Sequence, residues 1–238
     1  MFDLFLKTII FDYIKNYNMK KLFIVLTALF SFNLTSGQGT MIYGMAAAKT
    51  GLISGDIKSL DKVTKVSILL DSKETLIGVK NMNMSDGDYT TEAKYLDRKS
   101  ADLEEKEKGR GKEFREDWEK AKTTTYPEKF EELFNKYGPK DISMEGKYNG
   151  KDADYNLVIK TVLIDPGWNI GIMKKPSFID IECIFTDKAG KELCRFFCKN
   201  IIGSNGTGFD YTISSRVKES YAKASKMLVA LIEKERKK

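Results

Sequence analysis

Residues 178–199, FIDIECIFTDKAGKELCRFFCK, contain two apolar runs on either side of the turn-forming segment Asp187-Lys188-Ala189-Gly190. Apolar and polar residues alternate within each run, which predicts β-strands over residues 178–186 and 192–199. The short polar connection predicts a tight antiparallel hairpin. This stretch therefore predicts a fold that contains an antiparallel sheet.

The three cysteines of the chain all lie in this hairpin. A turn centred on Lys188-Ala189 places Cys183 opposite Cys194, and alternation puts both of them, with Cys198, on the apolar face. Three thiols on this face allow buried free thiols, a Cys183–Cys194 disulfide with one free thiol, or a soft-metal site, and the first two are preferred. An oxidising compartment favours a disulfide, whereas directly opposed cross-strand cysteines bond only with strained geometry. We expect neither a metal site nor a catalytic cysteine, because no histidine is present to activate a thiol.

Other segments predict the rest of a sheet and two helices. Alternating apolar residues predict strands over residues 63–70, 75–79 and 155–164. One helix is predicted from Pro127 to the Gly138-Pro139 stop, and a long amphipathic helix over residues 212–235. The expected fold is a single α+β domain over residues 61–238. It has one antiparallel-rich sheet of four to five strands and two helices packed on one face.

Two further regions complete this organisation. Mixed charges at helical spacing predict a charged helical insertion over about residues 90–122, broken near Gly109 and Gly111. Phe114 and Trp118 are four residues apart, so they can dock this helix on the core. Residues 38–60, which are rich in glycine and alanine, are expected to form a flexible N-terminal segment.

The N-terminal region has the pattern of a secretory signal peptide. Met19-Lys20-Lys21 is followed by an apolar run over residues 22–32, and Thr35 and Gly37 are the small residues that a cut before Gln38 needs. The run is shorter than the ~20 residues of an ordinary transmembrane helix. No cysteine precedes Cys183, so no lipid attachment is expected.

This pattern predicts a targeting segment and a compartment. Residues 19–37 are the expected signal peptide, and residues 1–18 are interpreted as a spurious extension in front of a true start at Met19. The mature protein is therefore expected in the periplasm or outside the cell, without a transmembrane helix.

Composition excludes several classes of function. The chain has no histidine, which excludes Ser-His-Asp and Cys-His catalysis and removes the commonest zinc ligand. Its net charge of +6 comes from 40 basic and 34 acidic residues spread along the chain. Nucleic-acid binding is not expected, because it usually needs a concentrated basic stripe.

The order of motifs in the C-terminal half resembles a group of known families. The motifs are Ala153-Asp154-Tyr155-Asn156-Leu157, Asp165-Pro166-Gly167-Trp168-Asn169, the hairpin turn Asp187-Lys188-Ala189-Gly190-Lys191, and a glycine-rich turn before the last helix. Over roughly residues 140–238 the chain resembles uncharacterised exported α+β proteins of the Bacteroidetes type. More distantly, it is similar to domain-of-unknown-function families of bacterial envelope lipoproteins with the order strand, Asp-x-x-Gly-Lys hairpin, helix. These families imply no catalytic residues. We expect no cofactor.

The segment that begins at Asp165 suggests a partner-binding surface. Trp168, Ile170 and Ile172 make this connection more apolar than a turn requires. The other interpretation is a loop folded over the sheet edge, with Trp168 at the rim of the core.

These observations predict a non-enzymatic binding or assembly protein of the bacterial envelope. Its partner is an envelope protein or glycan that the sequence does not identify. The alternative is a carboxylate-dependent hydrolase acting on a glycan or peptide. Acidic pairs such as Asp180 and Glu182 are neighbours in the pleat of one strand, whereas a glycosidase needs acids held across a cleft.

Overall fold

The computed structural model describes residues 47–80, 87–145, 154–169, 174–203 and 212–238. The chain divides into two units, Met1–Tyr43 and Gly44–Lys238, and every described residue belongs to the second. The predicted extension, signal peptide and cleavage site lie outside the described residues. So do Ile170 and Ile172.

The described residues form ten β-strands and four α-helices. A short 3-10 helix (Ile57–Lys62) follows the first strand, and one π-helical turn (Ala121–Thr125) precedes the third α-helix. In chain order the elements are β1 (Lys49–Gly55), β2 (Lys65–Asp71), β3 (Leu76–Lys80), β4 (Gly87–Thr91), α1 (Glu92–Lys106), α2 (Arg110–Lys120), α3 (Tyr126–Tyr137), β5 (Ser143–Glu145), β6 (Tyr155–Asp165), β7 (Trp168–Asn169), β8 (Lys174–Lys175), β9 (Phe178–Asp187), β10 (Glu192–Ile202) and α4 (Ile213–Glu235).

The main sheet has eight strands and is mixed. Its order is β1-β10-β9-β6-β2-β5, and β3 pairs with both β6 and β4. Neighbours from β1 to β6 along this order are antiparallel, whereas β2 runs parallel to β6 and β5, and β3 runs parallel to β6. The prediction of an antiparallel-rich sheet of four to five strands is therefore wrong, although the α+β class is correct.

The missed strands lack a periodic apolar signal. Strand β1 reads KTGLISG, β4 reads GDYTT and β5 is only the three residues SME. Strand β1 lies in the segment that was expected to be flexible, where it pairs with β10 as an edge strand. The parallel pairing was also missed, because its direction depends on the long crossover through α1, α2 and α3 rather than on strand composition.

Strands β2 and β3 follow one another along the same edge of β6. Strand β2 pairs with the first half of β6, from Tyr155 to Lys160, and β3 pairs with Leu163 and Ile164 near its end. Between them, the hydroxyl of Thr75 donates to the carbonyl oxygen of Thr161 at 2.9 Å. This arrangement carries β3 and its partner β4 to the end of β6.

Helices α3 and α4 pack against each other and on the sheet. Their contact includes a hydrogen bond from Ser225 Oγ of α4 to the carbonyl oxygen of Phe130 in α3, at 2.8 Å. The hydroxyls of Tyr221 and Thr161 lie 2.6 Å apart in the core and join α4 to β6. Phe130 is fully buried in this contact, whereas Tyr137, the last residue of α3, is 47% exposed.

The hairpin of β9 and β10 has a different register from the predicted one. Thr186 pairs with Glu192, and a bulge before Cys194 shifts the register so that Cys183 lies opposite Phe196. The predicted direct pairing of Cys183 with Cys194 is therefore wrong by two residues. A turn centred on Lys188-Ala189 would pair Thr186 with Lys191, so the actual turn is one residue longer, and the bulge adds a second residue to β10. All three cysteines are buried free thiols.

The charged region folds as two helices that pack on each other. The break between α1 and α2 comes at Gly109, whose φ of +94° favours glycine. Trp118 of α2 is only 1% exposed and packs against Tyr95 and Phe114, so this pair is anchored in the core. Within the described ranges, no helix combines the length and apolar character that a bilayer crossing demands.

Candidate functional site

A cavity of about 670 Å³ lies where the β3–β4 hairpin, helices α1 and α2, the turn after β6 and the start of α4 meet. Its volume falls in the range of small-molecule sites. The wall contains backbone, aromatic, cationic and acidic groups. It is formed by Gly78, Val79, Asp88, Tyr95, Arg98, Lys99, Leu103, Arg110, Glu113, Phe114, Asp117, Pro166, Gly167, Trp168, Asn169, Thr212, Ile213 and Arg216.

The turn after β6 is held by a buried carboxylate. Asp165 is fully buried, and its Oδ1 accepts the backbone N–H of Gly167 at 2.9 Å. Its Oδ2 accepts a hydrogen bond from Lys175 Nζ at 2.5 Å. Gly167 has a φ of +60°, and a Cβ there would lie 2.3 Å from the carbonyl oxygen of Lys175. This tight turn sets the position of Trp168 at the cavity.

The two tryptophans of the chain have different surroundings. The indole Nε1 of buried Trp118 donates to the carboxylate of Glu92 at 2.5 Å. Trp168 is half-buried and lines the cavity, and its Nε1 has no acceptor among the residues that the structure describes. Trp118 therefore stabilises the core, whereas Trp168 forms part of the cavity wall.

Four cations line the cavity, and they differ in their partners. Arg216 is buried, and its Nε donates to the carbonyl oxygen of Pro166 at 3.0 Å, so it supports the turn. Arg110 lies 3.7 Å from the carboxylate of Glu107. Arg98 is exposed and Lys99 half-buried. Among the described residues, neither of these two has a carboxylate partner at ion-pair distance.

Three carboxylates line the same cavity. Asp88 comes from β4, and Glu113 and Asp117 lie one turn apart on α2. Asp117 Oδ2 accepts a hydrogen bond from Ser214 Oγ at 2.6 Å, which ties α2 to the first turn of α4. The lining therefore has a formal excess of one positive charge.

Tyr95 contributes a neutral phenol to this wall. Burial raises the pKa of Tyr95 to about 12, while the cations of Arg216 and Arg98 act in the opposite direction. The hydroxyl therefore stays protonated near neutral pH. The cavity thus combines neutral aromatic groups with two cations that have no protein partner in the described chain.

The predicted site residues fall in separate places. Trp168 lines the cavity, and Ile170 and Ile172 lie outside the described residues. Cys183 and Cys194 lie in the core and contribute nothing to the wall. Across the described ranges, no three cysteine, aspartate or glutamate side chains form a group that could hold a metal ion.

The acidic pair singled out in β9 takes part in structural contacts. Asp180 accepts the backbone N–H of Asn200 at 2.6 Å, and Glu182 pairs with Arg195 at 2.8 Å. Neither lines the cavity.

Sequence reasoning missed Arg98 and Lys99 because they lie in a charge run that was interpreted as a solvated helix face. Their spacing of three and four residues from the core residue Tyr95 is the signal that could have found them.

Comparison with known proteins leaves the family open. No protein-family model matches the chain, and no curated protein matches it. One similar solved structure is a PelC dodecamer from Paraburkholderia phytofirmans, with 13% identity and a TM-score of 0.36, covering 77% of this chain and 98% of that one. The L103M variant of the same dodecamer has 9% identity and a TM-score of 0.31, covering 75% and 99%. Likeness at this level carries no argument about function.

Proposed function

We propose that this chain is an exported, non-enzymatic binding protein of the bacterial envelope, and that its ligand occupies the cavity beside Trp168. The observation that carries the proposal is the contrast between the two tryptophans. Trp118 is buried with its N–H bonded to Glu92, whereas Trp168 is half-buried, lines the cavity, and has no acceptor for its N–H among the residues that the structure describes. An aromatic ring with a polar handle is a frequent anchor for ligands.

The shape of the site favours an envelope glycan over a protein partner. Stable protein interfaces bury about 1,200–2,000 Å² over a broad surface, whereas a concave cavity of this volume suits a small ring-containing ligand. The Asp165–Lys175 contact holds the turn in place before the ligand arrives, which lowers the entropy cost of binding. Export and envelope location rest on the signal-peptide pattern of residues 19–37.

The test is titration of the purified protein with a panel of short neutral, cationic and anionic oligosaccharides. The Trp118→Phe variant leaves Trp168 as the single indole, so its fluorescence reports on the cavity. We expect at least one class to bind. Calorimetry measures the affinity of Trp168→Ala, which lacks the reporting indole, and we expect this variant to bind about tenfold or more weakly without a lower melting temperature. Absence of binding across the panel would overturn the proposal, as would unchanged affinity in Trp168→Ala.

A carboxylate-dependent hydrolase is the second candidate, and one observation favours it. Asp88 and Asp117 line the cavity from different elements, as an acid pair across a cleft would. However, Asp117 accepts a hydrogen bond from Ser214, which ties α2 to α4. This structural role accounts for Asp117 in the cavity wall without any part in catalysis. Release of reducing ends from bound oligosaccharide, abolished in both Asp88→Asn and Asp117→Asn, would establish the hydrolase in place of the binding protein.

A further inference from the structure

We infer that the ligand of this cavity is an acidic sugar, and that Arg98 and Lys99 bind its carboxylate. The inference rests on the proposed function and names the ligand class for the same site. It depends on how the arginines of the chain are partnered.

Five of the six arginines in the sequence have a protein partner in the structure. These partners are Glu107 for Arg110, Asp97 for Arg115, Glu182 and Glu192 for Arg195, the carbonyl oxygen of Pro166 for Arg216, and Asp141 for Arg236. The sixth, Arg98, has no such partner among the described residues, and it lines the cavity. A guanidinium has a planar fork of donors that matches a carboxylate.

Lys99 adds a second cation from the same turn of α1. It is half-buried, lines the same cavity and also lacks a carboxylate partner within the described chain. Both residues follow Tyr95, whose buried ring fixes this turn against Trp118. The helical turn that carries these two cations is therefore anchored to the core beside the cavity.

The other charged residues of the wall limit the negative charge that the ligand can carry. Asp88, Glu113 and Asp117 line the same cavity, so the four cations exceed the carboxylates by one. A group with a single negative charge complements this wall, whereas a polyphosphate would meet repulsion from the three carboxylates. Trp168 lines the same cavity and supplies an aromatic surface for the sugar ring.

Calorimetry with matched ligands tests the inference. The probes are a disaccharide that ends in glucuronic acid and the same disaccharide that ends in glucose. We expect the acidic disaccharide to bind about tenfold more tightly than the neutral one. We also expect its binding to weaken as the salt concentration rises from about 50 mM to about 500 mM. The double variant Arg98→Gln/Lys99→Gln should remove this preference. The matched control is Arg115→Gln, which removes an arginine already bonded to Asp97 and should keep the preference.

The outcomes separate the ligand class from the binding function. Equal affinity for both disaccharides, with binding that still depends on Trp168, would overturn the acidic-sugar inference and leave the proposed function intact. Absence of binding by either probe, together with a blank oligosaccharide panel, would overturn both. The carboxylate could also belong to a peptide, and an acetylated glutamyl peptide with one carboxylate tests this. Tighter binding of that peptide than of the acidic disaccharide would overturn the assignment to a sugar.

Discussion

The carboxylate of Asp165 and the ammonium group of Lys175 lie 2.5 Å apart, at the end of β6 and the end of β8. The Asp165 side chain is fully buried and the Lys175 side chain is 16% exposed. A buried carboxylate is costly unless it is paired and hydrogen-bonded, so this contact holds together the turn that carries Trp168. The same two side chains therefore stabilise the fold and position the cavity wall.

Loss of the Lys175 ammonium should destabilise the protein. We expect Lys175→Met to lower the free energy of unfolding by about 1–3 kcal/mol, because it removes the ammonium group that donates to the buried Asp165 carboxylate. Urea denaturation measures the change. The double variant Lys175→Met/Asp165→Asn should recover part of the loss. Equal stability of Lys175→Met and the parent protein would contradict the structural role assigned to this pair.

Substitution by phenylalanine should lower the stability of the protein at Trp118 but leave it nearly unchanged at Trp168. Trp118→Phe removes the donor to Glu92 and part of the buried packing with Tyr95, so we expect a loss of about 1–3 kcal/mol in the free energy of unfolding. Trp168→Phe removes no hydrogen bond within the described chain and should stay within about 0.5 kcal/mol of the parent. Thermal and urea unfolding of both variants check this. A larger loss for Trp168→Phe would make Trp168 a core residue.

Stability should fall at alkaline pH because of a buried thiol. Burial raises the pKa of Cys194 from its ordinary value of 9.0 to about 12. Between these values the unfolded chain has lost the thiol proton while the folded chain keeps it, so rising pH favours unfolding. This contribution is fully present below pH 9.0 and is lost towards pH 12.

Urea unfolding between about pH 8 and about pH 11 measures this effect. One such thiol contributes a slope of about 1.4 kcal/mol per pH unit. Cys194→Ala should reduce the slope, although it also lowers stability at neutral pH by leaving a gap in the core. An unchanged slope in this variant would show that Cys194 is not the titrating group.

Intact mass, measured without reduction on protein from fractionated cells, should begin at Gln38 and come from the periplasm or the medium. Because Cys183 lies opposite Phe196, we also expect three free thiols that react only after unfolding. A deficit of two hydrogen masses would instead show a disulfide such as Cys183–Cys194. A mass that begins at Met1 or Met19, in the cytosol, would contradict export and the envelope function together.

The sequence predicted the elements that have strong local patterns. The alternation in residues 178–199 predicted strands β9 and β10, and the Pro127 start with the Gly138 stop predicted α3. The glycine break in the charged region also lies where it was expected, at Gly109. Each of these signals depends on neighbouring residues, so no knowledge of the rest of the fold is needed to read it.

The candidate site was only partly predictable. Trp168 stood out because it belongs to a connection that is more apolar than a turn requires, whereas Arg98 and Lys99 looked like ordinary members of a charged helix. Their importance depends on what surrounds them: Arg115 of α2 is bonded to Asp97 of α1, whereas these two line the cavity without a carboxylate partner among the described residues. Pairing of this kind joins residues that are distant in sequence, so spacing along the chain does not show it.

The sequence by itself determined the α+β class, the helices α3 and α4 and the central strands, because periodicity is a property of consecutive residues. Only the tertiary structure decided the mixed eight-stranded sheet, the register of Cys183 with Phe196 and the cavity beside Trp168. A bulge at one residue shifts a whole register, and a short polar strand forms only when a partner supplies its hydrogen bonds. Those partners are brought together by the crossover helices, and the free energy that selects them comes from burying the whole core rather than from any one segment.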